Sequence, residues 1–122
     1  MKAPSVLVIA SEGMCTFFAH ELSAHGYHSV SATSVQEARR LLACDPQLVL
    51  IFDHFIHDAP DSTLLIHALQ DCIPYTTPLV VITSTSGEKP IFRAGVTLYD
   101  YMGGIEAALQ HIRTVLPRTP ST

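Results

Sequence analysis

Four apolar runs of strand length, rich in β-branched residues, set the framework of this 122-residue chain: Val6 to Ala10, Leu48 to Phe52, Leu79 to Thr83 and Val96 to Met102. A weaker run spans His28 to Ala32. Their near-continuous apolar character is that of strands covered on both faces. Helix-period segments fall between them. Met14, Phe17, Phe18 and Leu22 share a face after Gly13, and Gly26 supplies a stop signal. Ser34 and Glu37 have capping-box spacing ahead of a second helix carrying Val35, Ala38, Leu41 and Leu42, which Pro46 ends. After Asp61, Leu65, Ala68 and Leu69 line a third helical face, and after Gly103 and Gly104 the residues Ile105, Ala108, Leu109, Ile112 and Leu116 repeat at helical spacing.

Strand and helix in alternation predict right-handed crossovers around a parallel sheet, an α/β architecture with helices on both faces. The last crossover is short. Only Ser84 to Ala94 separates the fourth strand from the Ala94-Gly95 turn, and Pro90 lies inside it, so the fourth helix is expected to be short, distorted or missing. One domain is expected over residues 1–116, with 117–122 a tail or the start of an interdomain linker. No internal repeat or low-complexity tract is present.

With 48% hydrophobic residues and 15% charged, the chain excludes collagen, coiled coil and disorder; at this size a domain buries roughly two-thirds of its unfolded surface. Seven Lys and Arg against eleven Asp and Glu leave a net charge of -4, which argues against nucleic acid and anionic membrane as partners. The apolar run after Met1 is too short for a signal-peptide core or a membrane span. Cys15, Cys44 and Cys72 lack C-x-x-C spacing and lie in or beside apolar stretches, as small buried hydrophobes do in a reducing compartment. A cytoplasmic location is therefore expected.

From about Ala3 to Leu116 the chain resembles the receiver domain of bacterial two-component response regulators. The resemblance rests on Val6-Leu-Val-Ile in the first strand, Gly26-Tyr27 before the second, and Val35-Gln-Glu-Ala-Arg-Arg-Leu-Leu as second helix. It continues through Asp45-Pro-Gln-Leu-Val-Leu-Ile, Pro78-Leu-Val-Val-Ile-Thr83 and Ala94-Gly95-Val96. The fold it implies is flavodoxin-like: a three-layer αβα sandwich around a five-stranded parallel sheet of order 2-1-3-4-5, with the site at the carboxyl ends of the strands.

Receivers carry an acid pair after the first strand, a phosphoacceptor Asp ending the third, Thr or Ser ending the fourth, and Lys after the fifth. The acids hold magnesium, the central carboxylate attacks the phosphoryl group, and hydroxyl and Lys stabilise its oxygens. Here the acid-pair positions fall on Ile9-Ala10 or Ala10-Ser11, and Glu12 alone, one turn on, makes a poor magnesium site. Phe52 stands at the acceptor position, with Asp53 displaced by one, which turns a strand side chain to the opposite face. A bulge at Phe52-Asp53 would return Asp53 to the pocket, the alternative reading. The Lys position falls near Gly103-Gly104, and Thr83 alone matches. The resemblance thus implies a pseudo-receiver, not an enzyme, with no cofactor and no magnesium. Tyr101, by its distance from Gly104, matches the family's switch aromatic; Tyr99 shares its strand.

Other constellations are weaker. Asp53, His54, His57, Asp58 and Asp61 cluster after the third strand, where His54, His57 and Asp58 are candidate metal ligands, although an ordinary solvated loop explains them as well. His20, His25 and His28 read as surface residues; His67 and His111 lie on helices, solvent-facing or half-buried. Seven His residues permit pH sensitivity at roughly pH 5 to 7 but do not make a switch. Cys15, near a helix start, is open to two readings, a reactive thiol or a buried inert one. No G-x-G-x-x-G, P-loop or G-x-S-x-G stands after a strand, and Ser11 and Thr16 are too little for a flavin phosphate loop.

The expected function is a non-catalytic signalling module that meets a protein partner or a second copy through the face of the fourth helix, fifth strand and fifth helix. Pro90-Ile91-Phe92 would offer apolar groups there, and an output domain beyond Thr122 is an expectation of the same reading. Two alternatives stay open: phosphorylation at Asp53, and ligand or metal sensing by the 53–61 loop.

Overall fold

A computed structural model of the protein describes residues 5–52, 69, 72–74, 76–83 and 96–116, without the side chains of residues 83 and 100–102. The predicted 53–61 ligand loop with Asp53, His54, His57 and Asp58 lies outside these residues, as do most of the third helix, the short fourth helix and the 117–122 tail.

The described elements run β1 (Val6–Ile9), α1 (Glu12–Ala24), β2 (Ser29–Ala32), α2 (Val35–Leu42), β3 (Leu48–Phe52), β4 (Leu79–Thr83), β5 (Val96–Asp100) and α3 (Tyr101–Val115). All five strands pair in parallel, in the order β2-β1-β3-β4-β5. Alternation along the strands divides the apolar residues between two layers. Val6, Val8, Leu48, Leu50, Phe52, Val80 and Ile82 face α1, through Cys15, Phe18 and Leu22, and α3, through Ala108 and Ile112. Leu7, Ile9, Val49, Ile51, Leu79 and Val81 face the other way, onto Ala38 of α2 and onto Leu69 and Ile73. Burying each of these aliphatic side chains contributes about 1.5–3 kcal/mol, which is why three central strands read as unbroken apolar runs.

Caps fix where the helices stop and start. Gly26 (φ 85°) follows the last turn of α1; its N–H donates to the Ser23 carbonyl and the Tyr27 N–H to that of Leu22, closing a Schellman motif over packed Tyr27 and Leu22. At α2 the predicted capping box forms: Ser34 Oγ accepts from the Glu37 N–H at 3.1 Å. The Glu37 carboxylate reaches back one residue further than the motif requires, to the Thr33 N–H at 3.0 Å.

Four expectations are corrected. The fifth strand ends at Asp100, where its pairing with Thr83 ends, rather than at Met102. The last helix begins at Tyr101, ahead of Gly103 and Gly104, with Gly103 turning the chain at φ 78° inside it. Phe17 is 39% exposed although Phe18 beside it is fully buried, because the core stripe of α1 runs through Cys15, Phe18 and Leu22. Cys44 and Cys72 are exposed, since both lie in turns outside the apolar runs they adjoin; Cys15 alone is buried.

Candidate functional site

In a parallel sheet of this order, ligands meet the carboxyl ends of the strands. At β1 that end is Ala10, fully buried, its N–H donating to the Ala32 carbonyl at 3.1 Å. Ser11 is the N-cap of α1, and Glu12 stands exposed in the first turn, where a carboxylate complements the helix dipole. At β3 the end is Phe52, 7% exposed, its ring 6.0 Å from that of Phe18. Phe18 in turn meets Phe17 edge-on at 5.4 Å. Phe52, at the carboxyl end of β3, therefore belongs to the core layer under α1 and α3.

Gly104, in the helix after β5, packs closely on the strand. A Cβ added at Gly104 would stand 3.0 Å from the Tyr99 Cβ and 3.3 Å from its carbonyl carbon. Gly104 is buried, and a side chain there would require Tyr99 to give by a few tenths of an ångström. Thr83 ends β4 opposite Asp100, as the pattern expects. Ala10, Phe52, Thr83 and Gly104 thus come from the strand ends and from the helix following the last strand, but the described side chains among them are apolar or absent. Glu12 is the carboxylate described beside them. Among the described residues there is no group of three or more His, Cys, Asp or Glu able to hold a metal.

Tyr101, expected as the strand aromatic, is the first residue of α3. The aromatic in β5 is Tyr99, half-buried against the core opposite Ile82. Its ring lies 6.0 Å from that of His111, whose Nε2 is 3.5 Å from Thr97 Oγ1. His111 is thus half-buried against the edge strand, one of the two placements its helix position allowed.

Of the two readings of Cys15, its placement is that of the buried thiol. Its thiol proton is shared between the carbonyls of Ala10 (3.4 Å) and Ala32 (3.6 Å). Burial pushes the thiol pKa up, and the Glu37 charge adds to this, against smaller opposing effects of hydrogen bonds with the Ser31 side chain and the Ala10 backbone.

Tyr27 was the residue with most structural consequence that no motif singled out as functional. Its ring packs in the core and its hydroxyl donates to the Leu116 carbonyl, tying the entry to β2 to the end of α3. The available signal was its place directly after Gly26, where a helix closed by glycine packs an apolar residue back onto its last turn.

Neither a protein-family model nor a curated protein sequence matches the chain. Solved structures do. A putative response regulator from Chloroflexus aurantiacus superposes with a TM-score of 0.65 at 18% identity, covering 94% of this chain and 99% of that one. A response regulator receiver domain protein from Bacillus halodurans gives 0.62 at 13% identity, over 93% and 96% of the two chains. The pseudo-receiver domain of the CikA protein gives 0.57 at 17% identity, over 96% and 100%. With the 2-1-3-4-5 parallel sheet and likeness over nearly the whole chain, the protein has the fold of a response-regulator receiver domain.

Proposed function

We propose that the chain is an atypical receiver, a pseudo-receiver working in cytoplasmic, bacterial-type signal transduction through protein contacts and without conventional aspartyl phosphorylation. The observation that carries this reading is Phe52: at the acceptor position it is buried against Phe18, a packing contact that a carboxylate could not make without stranding its charge. Ala10 after β1 and the close approach of Gly104 in α3 to Tyr99 support it. The reading is of a signalling module rather than an enzyme, with no bound magnesium. Its contact surface is the edge formed by β5 and α3, where Val96, Thr97, Leu98 and Tyr99 are each partly exposed, and its occupant is a second copy or a partner protein.

Acetyl phosphate, or beryllofluoride with magnesium, tests the reading. The expected result is unchanged intact mass and unchanged amide spectra. A phosphoryl adduct abolished by Asp53→Asn would replace it with a functioning acceptor. Stabilisation by zinc after purification without added metal would instead favour sensing by His54, His57 and Asp58. Sedimentation velocity of the wild type, with Leu98→Glu as comparison, checks the contact surface.

A further inference from the structure

A cleft of about 380 Å³ opens at the end of the molecule opposite the strand carboxyl ends, lined by His25, Tyr27, Gln110, Arg113 and Thr114. Its place follows from topology: helices of parallel crossovers run against their strands, so the last turns of α1 and α3 meet beside the entry to β2. Gln110, Arg113 and Thr114 have i, i+3, i+4 spacing and share an exposed face of α3, while Ala108 and Ile112 point into the core. The opposite wall is His25 and Tyr27, positioned by the Schellman closure of α1.

The donors and acceptors sort by chemistry. Among the described residues Arg113 makes no ion pair and no Asp or Glu lines the cleft, although the chain carries a net charge of -4. Its guanidinium, the Gln110 amide and the His25 ring offer N–H donors. Thr114 donates its hydroxyl proton to the Gln110 carbonyl, and Tyr27 donates its own to that of Leu116, so both oxygens present lone pairs to a ligand. Two helix C-termini ordinarily disfavour an anion. At α1 the Leu22 and Ser23 carbonyls are already taken by backbone N–H donors, and just beyond α3 the Leu116 carbonyl is taken by the Tyr27 hydroxyl.

We infer that this cleft is a binding site for a small hydroxylated oxyanion, a phosphate or carboxylate held by Arg113 with its hydroxyl donating to Thr114 or Tyr27. The volume suits a metabolite rather than a bare ion. The inference is independent of how the strand carboxyl ends are used.

Titration of the isotopically labelled full chain with glycerol phosphate tests it. Saturating amide shifts are expected at residues 25–27 and 110–116, with weaker binding of inorganic phosphate and none of glycerol. The exposed substitution Arg113→Gln is expected to weaken glycerol phosphate about tenfold, the scale of one charge-assisted hydrogen bond, and to leave the dispersed spectrum otherwise intact. Malate in a parallel titration separates the two oxyanions; saturation by malate alone assigns the ligand as a hydroxy acid. No saturating shift with either anion, an equal response to glycerol, or undiminished binding by Arg113→Gln would overturn the inference.

Discussion

The two ends of the sheet carry opposite chemistry on one scaffold. At the strand carboxyl ends, where the receiver fold places its acids, the described positions are Ala10, Phe52 and the close-packed Gly104. At the other end, Arg113, His25, Gln110, Thr114 and Tyr27 gather polar groups between two capped helix termini. At one end Ala10 and Phe52 belong to the core, and the other is a water-facing seam between α1 and α3. A shared fold therefore fixes where side chains project and leaves their chemistry free.

The comparison breaks most visibly if Phe52 is only nominally part of the core. Phe52→Asp, which writes the family's acceptor back into place, is expected to destabilise the domain by about 4 kcal/mol or more, from lost ring packing and a buried unpaired carboxylate. Urea unfolding measures it, and an acetyl phosphate incubation of whatever remains folded should show no adduct. Phe18→Ala should cost about 3–5 kcal/mol, whereas Phe17→Ala, at an exposed neighbour, should stay below about 1 kcal/mol; equal losses would mean that the α1 stripe is misassigned.

At the opposite end, Tyr27→Phe removes the hydroxyl that holds Leu116 and is expected to lower stability by about 1 kcal/mol, seen as a lower urea midpoint at an unchanged slope. The smallest effect concerns Cys15. Because burial raises its folded-state pKa, the native state holds the proton longer than the unfolded chain. The stabilisation is complete below the ordinary thiol pKa, roughly 8.5, and is lost as pH rises through the higher folded value. Wild type should therefore lose stability more steeply than Cys15→Ala above that pH. Under native conditions a thiol reagent should label Cys44 and Cys72 and spare Cys15.

Much of the architecture was legible in the chain. The bounds of Leu48–Phe52 and Leu79–Thr83 are legible because central parallel strands need apolar residues on both faces, which marks them as unbroken apolar runs. Ser34 and Glu37 gave the start of α2 because a cap is a local interaction between residues three apart. The end of β5 was not legible. Tyr99, Asp100 and Tyr101 suit strand or helix alike, and the boundary follows from where β4 stops offering partners and where Gly103 takes a positive φ. At the strand carboxyl ends, the sequence showed that the acids were missing from the expected positions. It did not show that Phe52 and Phe18 would meet, or that Gly104 would press on Tyr99, since both contacts join residues far apart in the chain or on different elements.

The order of the described elements and the two-sided burial of the sheet were determined by the sequence alone, because periodicity, capping and residue identity are local properties. Which of two adjacent phenylalanines enters the core, which cysteine is protected, and how Tyr27 comes to hold Leu116 were decided only by tertiary structure. The physical reason is common to all three. Burial depends on what the other layers bring to a position, and no window of the chain contains its own covering.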